Sequence, residues 1–305
     1  MRRKETDTFE KKEKEGKKKG TPSWLVILIF IIGVCILLYP TVSNLWNQYR
    51  NSKLAVNYDN SCSKLSNKAV EEMWNQAVEY NQNHSVNTII DAFGKQSETM
   101  EHNQYEKLLN PCGNGIMATL TIPSIKETMV CYHGLSDEAL SKGCGHMEGT
   151  SLPVGMHGDN GSHTVFAAHR GLPSAKLFTD LDKVKEGDIF FFTVLEHNIA
   201  YEVDQIKTVK PGNFQYLNIE AGKDYATLVT CTPYAVNTHR LLVRGHRVPY
   251  SEEKAREAKA AVSKDLAKNL LIIGSLISFI LVCLIGLSYR NKTTRKKEEE
   301  ENTAE

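Results

Sequence analysis

TLVTCTPYAVNTHRLLVRGHR, residues 227–247, sets one cysteine between two threonines at the end of an apolar run, with an arginine nine positions further on. Residues 225–230 have the β-branched and apolar character of a strand, and Pro233, which has no N–H to give a ladder, must stop it. Cys231 is therefore expected at the mouth of a strand, where a nucleophile is exposed. A thiol near its free pKa of about 8.5 is mostly protonated at neutral pH and needs a cation or an imidazole beside it to react. Arg240 opens a second run, residues 241–244, after a short loop. If the two strands are neighbours, the guanidinium returns beside the thiol, where it can stabilise a developing oxyanion. Arg244 and Arg247 compete for that role, and surface ion pairing is the ordinary use of all three.

Working outward, residues 116–122, 128–132, 163–168, 188–193 and 199–210 are further short β-rich runs broken by Gly, Pro and Asn. With the two already read they predict a barrel or a sandwich. Short helices are expected at 136–142 and 174–181. Leu65, Val70, Met73, Trp74, Ala77 and Val78 recur at helical spacing and predict an amphipathic helix over 63–82. Residues 83–110 are polar and irregular and read as a long loop, functional or disordered. The chain shows no internal repeat, no phosphate-cradling glycine motif and no Cys-x-x-Cys pair.

Among ten histidines, His169 is the best placed, because it follows the apolar run 165–168 directly and Gly171 then turns the chain. His84, His102 and His157 fall in polar loops. His239 and His246 flank the Arg240 strand and serve equally well as structural hydrogen-bonding groups.

A net charge of +1 over 305 residues gives no pull toward nucleic acid. Charge is nonetheless uneven: nine Lys/Arg stand against five Asp/Glu in residues 1–20, and the uncharged run 24–39 follows. A second uncharged run covers 270–289. Some 20 residues rising about 1.5 Å each match a bilayer core, so both read as membrane spans, the first also as a signal peptide. Basic residues 17–19 precede the first and 290–297 follow the second, which puts both tails in the cytoplasm and the intervening segment outside. Five cysteines lie in that segment, Cys62, Cys112, Cys131, Cys144 and Cys231, and an odd number leaves at least one thiol unpaired.

The stretch Thr227-Leu228-Val229-Thr230-Cys231 resembles the Thr-Leu-x-Thr-Cys signature of sortases, and Ala168-His169-Arg170-Gly171 is similar to the family's strand-end His-Arg-Gly. Arg240 within residues 237–243 matches its arginine, at separations of 62 residues (169 to 231) and 9 residues (231 to 240). Residues 148–154 and 171–178 are further family-like stretches, and the second apolar segment is similar to the class C, pilus-building members of Gram-positive bacteria.

The resemblance, which covers about residues 63–250, implies a mainly β fold: an eight-stranded sortase barrel with an N-terminal helical region, short peripheral helices and flanking transmembrane helices. It divides the chain into a cytoplasmic tail (1–21), a membrane segment or signal peptide (22–42), a helical and lid region (43–114), the catalytic barrel (115–250), a helical stalk (251–269), a second span (270–289) and a cytoplasmic tail (290–305). It also implies the roles. Cys231 would attack the Thr carbonyl of a Leu-Pro-x-Thr-Gly-like sorting signal, Arg240 would hold the oxyanion, and His169 would move the proton. The acceptor would be a lysine of the next pilin, with no cofactor, metal or nucleic acid involved. A cell-wall-anchoring sortase using a peptidoglycan-precursor amine is the alternative. A sorted surface protein is disfavoured, because residues 250–269 hold no sorting motif. Class C members carry a lid with an Asp-Pro-aromatic motif; its nearest equivalent here is Asp91-Ala92-Phe93, without the proline that would stiffen it.

Overall fold

A computed structural model describes residues 23–83 and 104–304. The chain divides into two compact units, residues 1–39 and 40–305. Helix α1 runs Ser23–Cys62 and α2 runs Asn67–Asn83. The strands are β1 (Ile116–Ile122), β2 (Glu127–His133), β3 (Cys144–His146), β4 (Ser162–Ala167), β5 (Ile189–Val194), β6 (His197–Val209), β7 (Asp224–Thr232) and β8 (His239–Val248). Helix α3 (Asp137–Lys142) lies between β2 and β3, and α4 (Glu252–Ala304) follows β8.

The eight strands close in the order β1-β2-β3-β4-β7-β8-β6-β5. The expected barrel is therefore present, and its eighth strand is β3. All pairings are antiparallel except β2 with β3 and β4 with β7. Every residue of β1 is buried, because its inward side chains fill the barrel while its other face is covered. Part of that cover is the second half of α1: Ala55, Tyr58 and Cys62 join the core cluster, as does Ala77 of α2. Tyr58 Oη donates to the Met117 carbonyl (2.8 Å) and accepts from the Leu195 N–H (3.1 Å), tying α1 to β1 and to the β5–β6 turn. That turn is Leu195-Glu196, both at positive φ, the backbone that a two-residue hairpin requires. Leucine tolerates the conformation here because it is wholly buried and its N–H is bonded.

The short helix expected at 174–181 is instead a 3-10 segment, Leu177–Lys183. The helix expected from 63 begins at Asn67, after a turn, with Ser66 Oγ accepting from the Ala69 N–H at 3.2 Å. Helix α4 packs Ala255 against Phe191 and Ala200, and pairs Lys259 with Asp59 (3.3 Å) and Asp265 with Lys126 (2.8 Å). Both α1 and α4 contain stretches long and apolar enough to cross a membrane.

Candidate active site

The three strands that matter are neighbours in the wall: β4 beside β7, and β7 beside β8. Register does the rest. In the antiparallel pair Cys231 stands directly opposite Arg240, so their side chains share a face with Cβ atoms roughly 5 Å apart. In the parallel pair Ala167 is level with Val229. Beyond the end of β4 the alignment is kept by the Ala168 N–H donating to the Val229 carbonyl (3.2 Å) and by Thr230 Oγ1 donating to the Ala168 carbonyl (2.8 Å). One further step of two residues along both chains sets His169 beside Cys231. The structure thus brings His169, Cys231 and Arg240 into one row across three adjacent segments.

That row lies on the outer face. Val165, Ala167, Val229 and Leu242, which alternate with the barrel interior, form an external apolar cluster with Leu140 of α3 and Leu217, and Phe214 packs against it. The β6–β7 connection walls a small, shallow depression beside Arg240, lined by Met147, Val209, Lys210, Asn213, Phe214, Leu217, Val229 and Leu242, and Leu140 of α3 belongs to the apolar cluster next to it.

Two details correct the sequence reading. Strand β7 continues through Thr232, so Cys231 is its penultimate residue, and the thiol expected to be exposed there is only 8% exposed. Arg240 is the second residue of β8, and its Nη1 reaches the carbonyls of Asn237 (3.4 Å) and His239 (3.3 Å), which hold the guanidinium near the loop. Arg244 and Arg247 are elsewhere. Arg244 makes a two-point pair with Asp204, both contacts 3.0 Å, and stacks over Tyr225 at 4.1 Å. Arg247 lies over Tyr201, 5.9 Å from the ring centre. His246 is 4.0 Å from Asp204 at that same far end, and His239 contacts Thr238 Oγ1 at 3.0 Å. Asp91 and Phe93 lie outside the described residues.

Burial holds the His169 imidazole below its ordinary pKa, opposed by the Asp137 carboxylate at the start of α3. Burial also raises two other thiols: Cys62 is pushed up to about 12 and Cys131 well above its usual value. Sequence reasoning missed the clamp beneath the row. Arg170 donates from Nε to the Thr179 carbonyl (3.2 Å), from Nη1 to Thr232 Oγ1 (3.1 Å) and from Nη2 to Asp182 (2.5 Å). It thereby joins the residue after His169 to the residue after Cys231. The only signal in the sequence was an arginine directly following the candidate histidine. Among the described residues, no group of three or more His, Cys, Asp or Glu is placed to hold a metal ion.

The sortase-domain family model matches residues 120–248. Sortase C of Streptococcus pneumoniae is 43% identical with a TM-score of 0.59, the match covering 66% of this chain and 98% of that one. Sortase C1 of Streptococcus agalactiae is 42% identical with a TM-score of 0.60, covering 65% of this chain and all (100%) of that one. This chain is a member of the sortase family. A curated relative, Sortase A of Streptococcus agalactiae serotype III, is more distant: 25% identical over 224 residues, 72% of this chain and 81% of that protein. As a sortase the chain is a cysteine transpeptidase, and its solved neighbours are class C enzymes.

Proposed function

We propose that this sortase polymerises pilin subunits, with Cys231 as nucleophile, Arg240 as oxyanion donor and His169 as the proton carrier. Cys231 sulfur attacks the Thr carbonyl carbon of a Leu-Pro-x-Thr-Gly-like signal. The thiol proton passes to His169 as the sulfur attacks, charge developing on the carbonyl oxygen meets the guanidinium, and His169 delivers that proton to the departing Gly amine. His169 then takes a proton from an incoming lysine amine as it attacks the thioester, releasing the thiol and leaving an isopeptide bond.

The observation that carries this reading is the facing of Cys231 and Arg240 across β7 and β8, with His169 two residues beyond the end of the neighbouring β4. The pilus assignment draws on the likeness to sortase C of Streptococcus pneumoniae, a protein described for its pilin substrate specificity. The test uses the full chain in detergent with a sorting-signal peptide, read by mass spectrometry. An acyl adduct on Cys231 that passes to a pilin lysine supports the proposal. An adduct that passes only to a peptidoglycan-precursor amine replaces pilus assembly with wall anchoring. No adduct on Cys231 overturns the site.

We further propose that residues from about 41 to 269 face outward with both tails inside, on the basic flanks of the two apolar segments.

A further inference from the structure

Cys131 and Cys144 take no part in the acyl transfer, yet the barrel wall sets them face to face. They are register partners in the parallel pair of β2 with β3, both are fully buried, and their sulfurs are 2.9 Å apart. Strands about 4.8 Å apart fall within the Cα separation that a disulfide spans. The local sequence enforces the approach. Cys144 is flanked by Gly143 and Gly145, where an added Cβ would lie 2.3 Å from the Val130 carbonyl oxygen and 2.2 Å from that of Gly134. Only glycine on both sides lets the segment sit this close to β2. A pair of thiols in this interior has weak donors to bury, whereas a disulfide has none.

We propose that Cys131 and Cys144 are cross-linked by a disulfide in the mature enzyme, closing the loop of residues 132–143 that carries α3. This rests on the outward orientation proposed above. The chemistry is thiol–disulfide exchange with an extracytoplasmic thiol oxidoreductase. One thiolate attacks the carrier's disulfide to give a mixed disulfide, and the second displaces the carrier. Two electrons and two protons leave with the carrier as its dithiol. Because both sulfurs are inaccessible in the closed barrel, the exchange takes place during folding, and the finished bond is then shielded from reductants.

The bond's position ties it to the catalytic face. Helix α3 supplies Leu140 to the outer apolar cluster and Asp137, whose carboxylate acts on His169. A covalent closure at the base of its loop fixes that wall. Cys62 and Cys112 have no such strand pairing, and Cys231 faces an arginine across its ladder.

The test takes the full chain from membranes of the producing cell, acid-trapped and denatured. Thiols are blocked with light N-ethylmaleimide, and the sample is then reduced and labelled with heavy reagent. Cys131 and Cys144 should carry only the heavy label and Cys231 only the light one, with a linked peptide two hydrogens lighter before reduction. In a second arm the detergent-purified chain is refolded with oxidised glutathione. Chain refolded with reductant in place of oxidised glutathione should have a Tm lower by roughly 6–12 °C, as expected for closing a loop of this length, whereas the Cys131→Ala/Cys144→Ala variant should melt alike after either refolding. Free thiols in both arms, or a link to a different cysteine, overturn the cross-link and leave the acyl-transfer proposal standing. A link on refolding with free thiols from membranes overturns the oxidation in the cell, and protease applied to intact protoplasts then tells an inward barrel from an outward one that was never oxidised.

Discussion

Cys231 sits in a nearly sealed strand position, so its reactivity depends on neighbours more than on exposure. Cys231→Ala removes one sulfur from a site that pairing with β8 holds in place. Transpeptidation should vanish while the Tm moves by only a few degrees; polymer formation by this variant would remove Cys231 from the mechanism. Arg240→Lys replaces a planar fork with a point charge and should cost on the order of 100-fold or more in acylation rate. Turnover near the wild-type level in that variant would show that the guanidinium holds no oxyanion. Much of this was legible: Thr-Leu-Val-Thr-Cys reads as strand, nucleophile and stop, and Arg240 returns where a hairpin would bring it. The burial of Cys231, 8% exposed, was not legible, because a strand pattern read along β7 and β8 does not show what other segments cover that face.

Among the elements, β4 ends at Ala167, and His169 has no ladder of its own. It is held by its carbonyl, which accepts from the Phe178 N–H at 3.2 Å, and by the Arg170 clamp. Arg170→Ala should therefore lower kcat on the order of 100-fold, as misplacement by about an ångström does, with a much smaller change in KM. Arg170→Lys, which keeps the charge toward Asp182 but not the fork, should recover only part of the loss. Equal kcat in all three proteins would reduce the clamp to a surface ion pair. The strand positions came through in the sequence wherever a run was long and apolar, as in 116–122. Strand β3 did not, because Cys-Gly-His is too short to show a period and owes its place to contact with β2. The hairpin Leu195-Glu196 lacks the Gly or Asn that announces such a turn. The second half of α1 was hidden by Pro40, although Leu45, Ala55, Tyr58 and Cys62 repeat at helical spacing.

For the molecule as a whole, two buried groups set opposing pH dependences. His163 is lowered to about 4 by burial, with its ring against the Asn218 carbonyl (2.9 Å) and Thr227 Oγ1 (2.7 Å). The unfolded chain binds that proton first, so stability is lost as pH falls from about 6.5 toward 4. Glu127 is raised to about 7 by burial, despite Lys176 at 3.4 Å. Here the folded chain holds the proton longer, so stability is lost as pH rises from about 4.5 toward 7. Each swing is about 3 kcal/mol, and over their shared window they nearly cancel. Denaturant midpoints of the full chain in detergent should thus be nearly flat between about pH 4.5 and 6.5. Those of Glu127→Gln should climb with pH over the same interval. A wild-type curve as steep as that of the variant would refute the compensation. At this scale the orientation is also testable: protease applied to intact protoplasts should remove the barrel and spare both tails, and a surviving barrel with a cut N-terminal tail would reverse it.

Strand β8 is the last to leave the ribosome, yet its place is between β7 and β6. A chain that has emerged only as far as β7 consequently leaves β7 and β6 as open edges, and Cys231 on the first of them has no Arg240 opposite. On the proposed roles such a chain lacks its oxyanion donor, so acyl transfer is expected only once β8 has slotted in between β7 and β6.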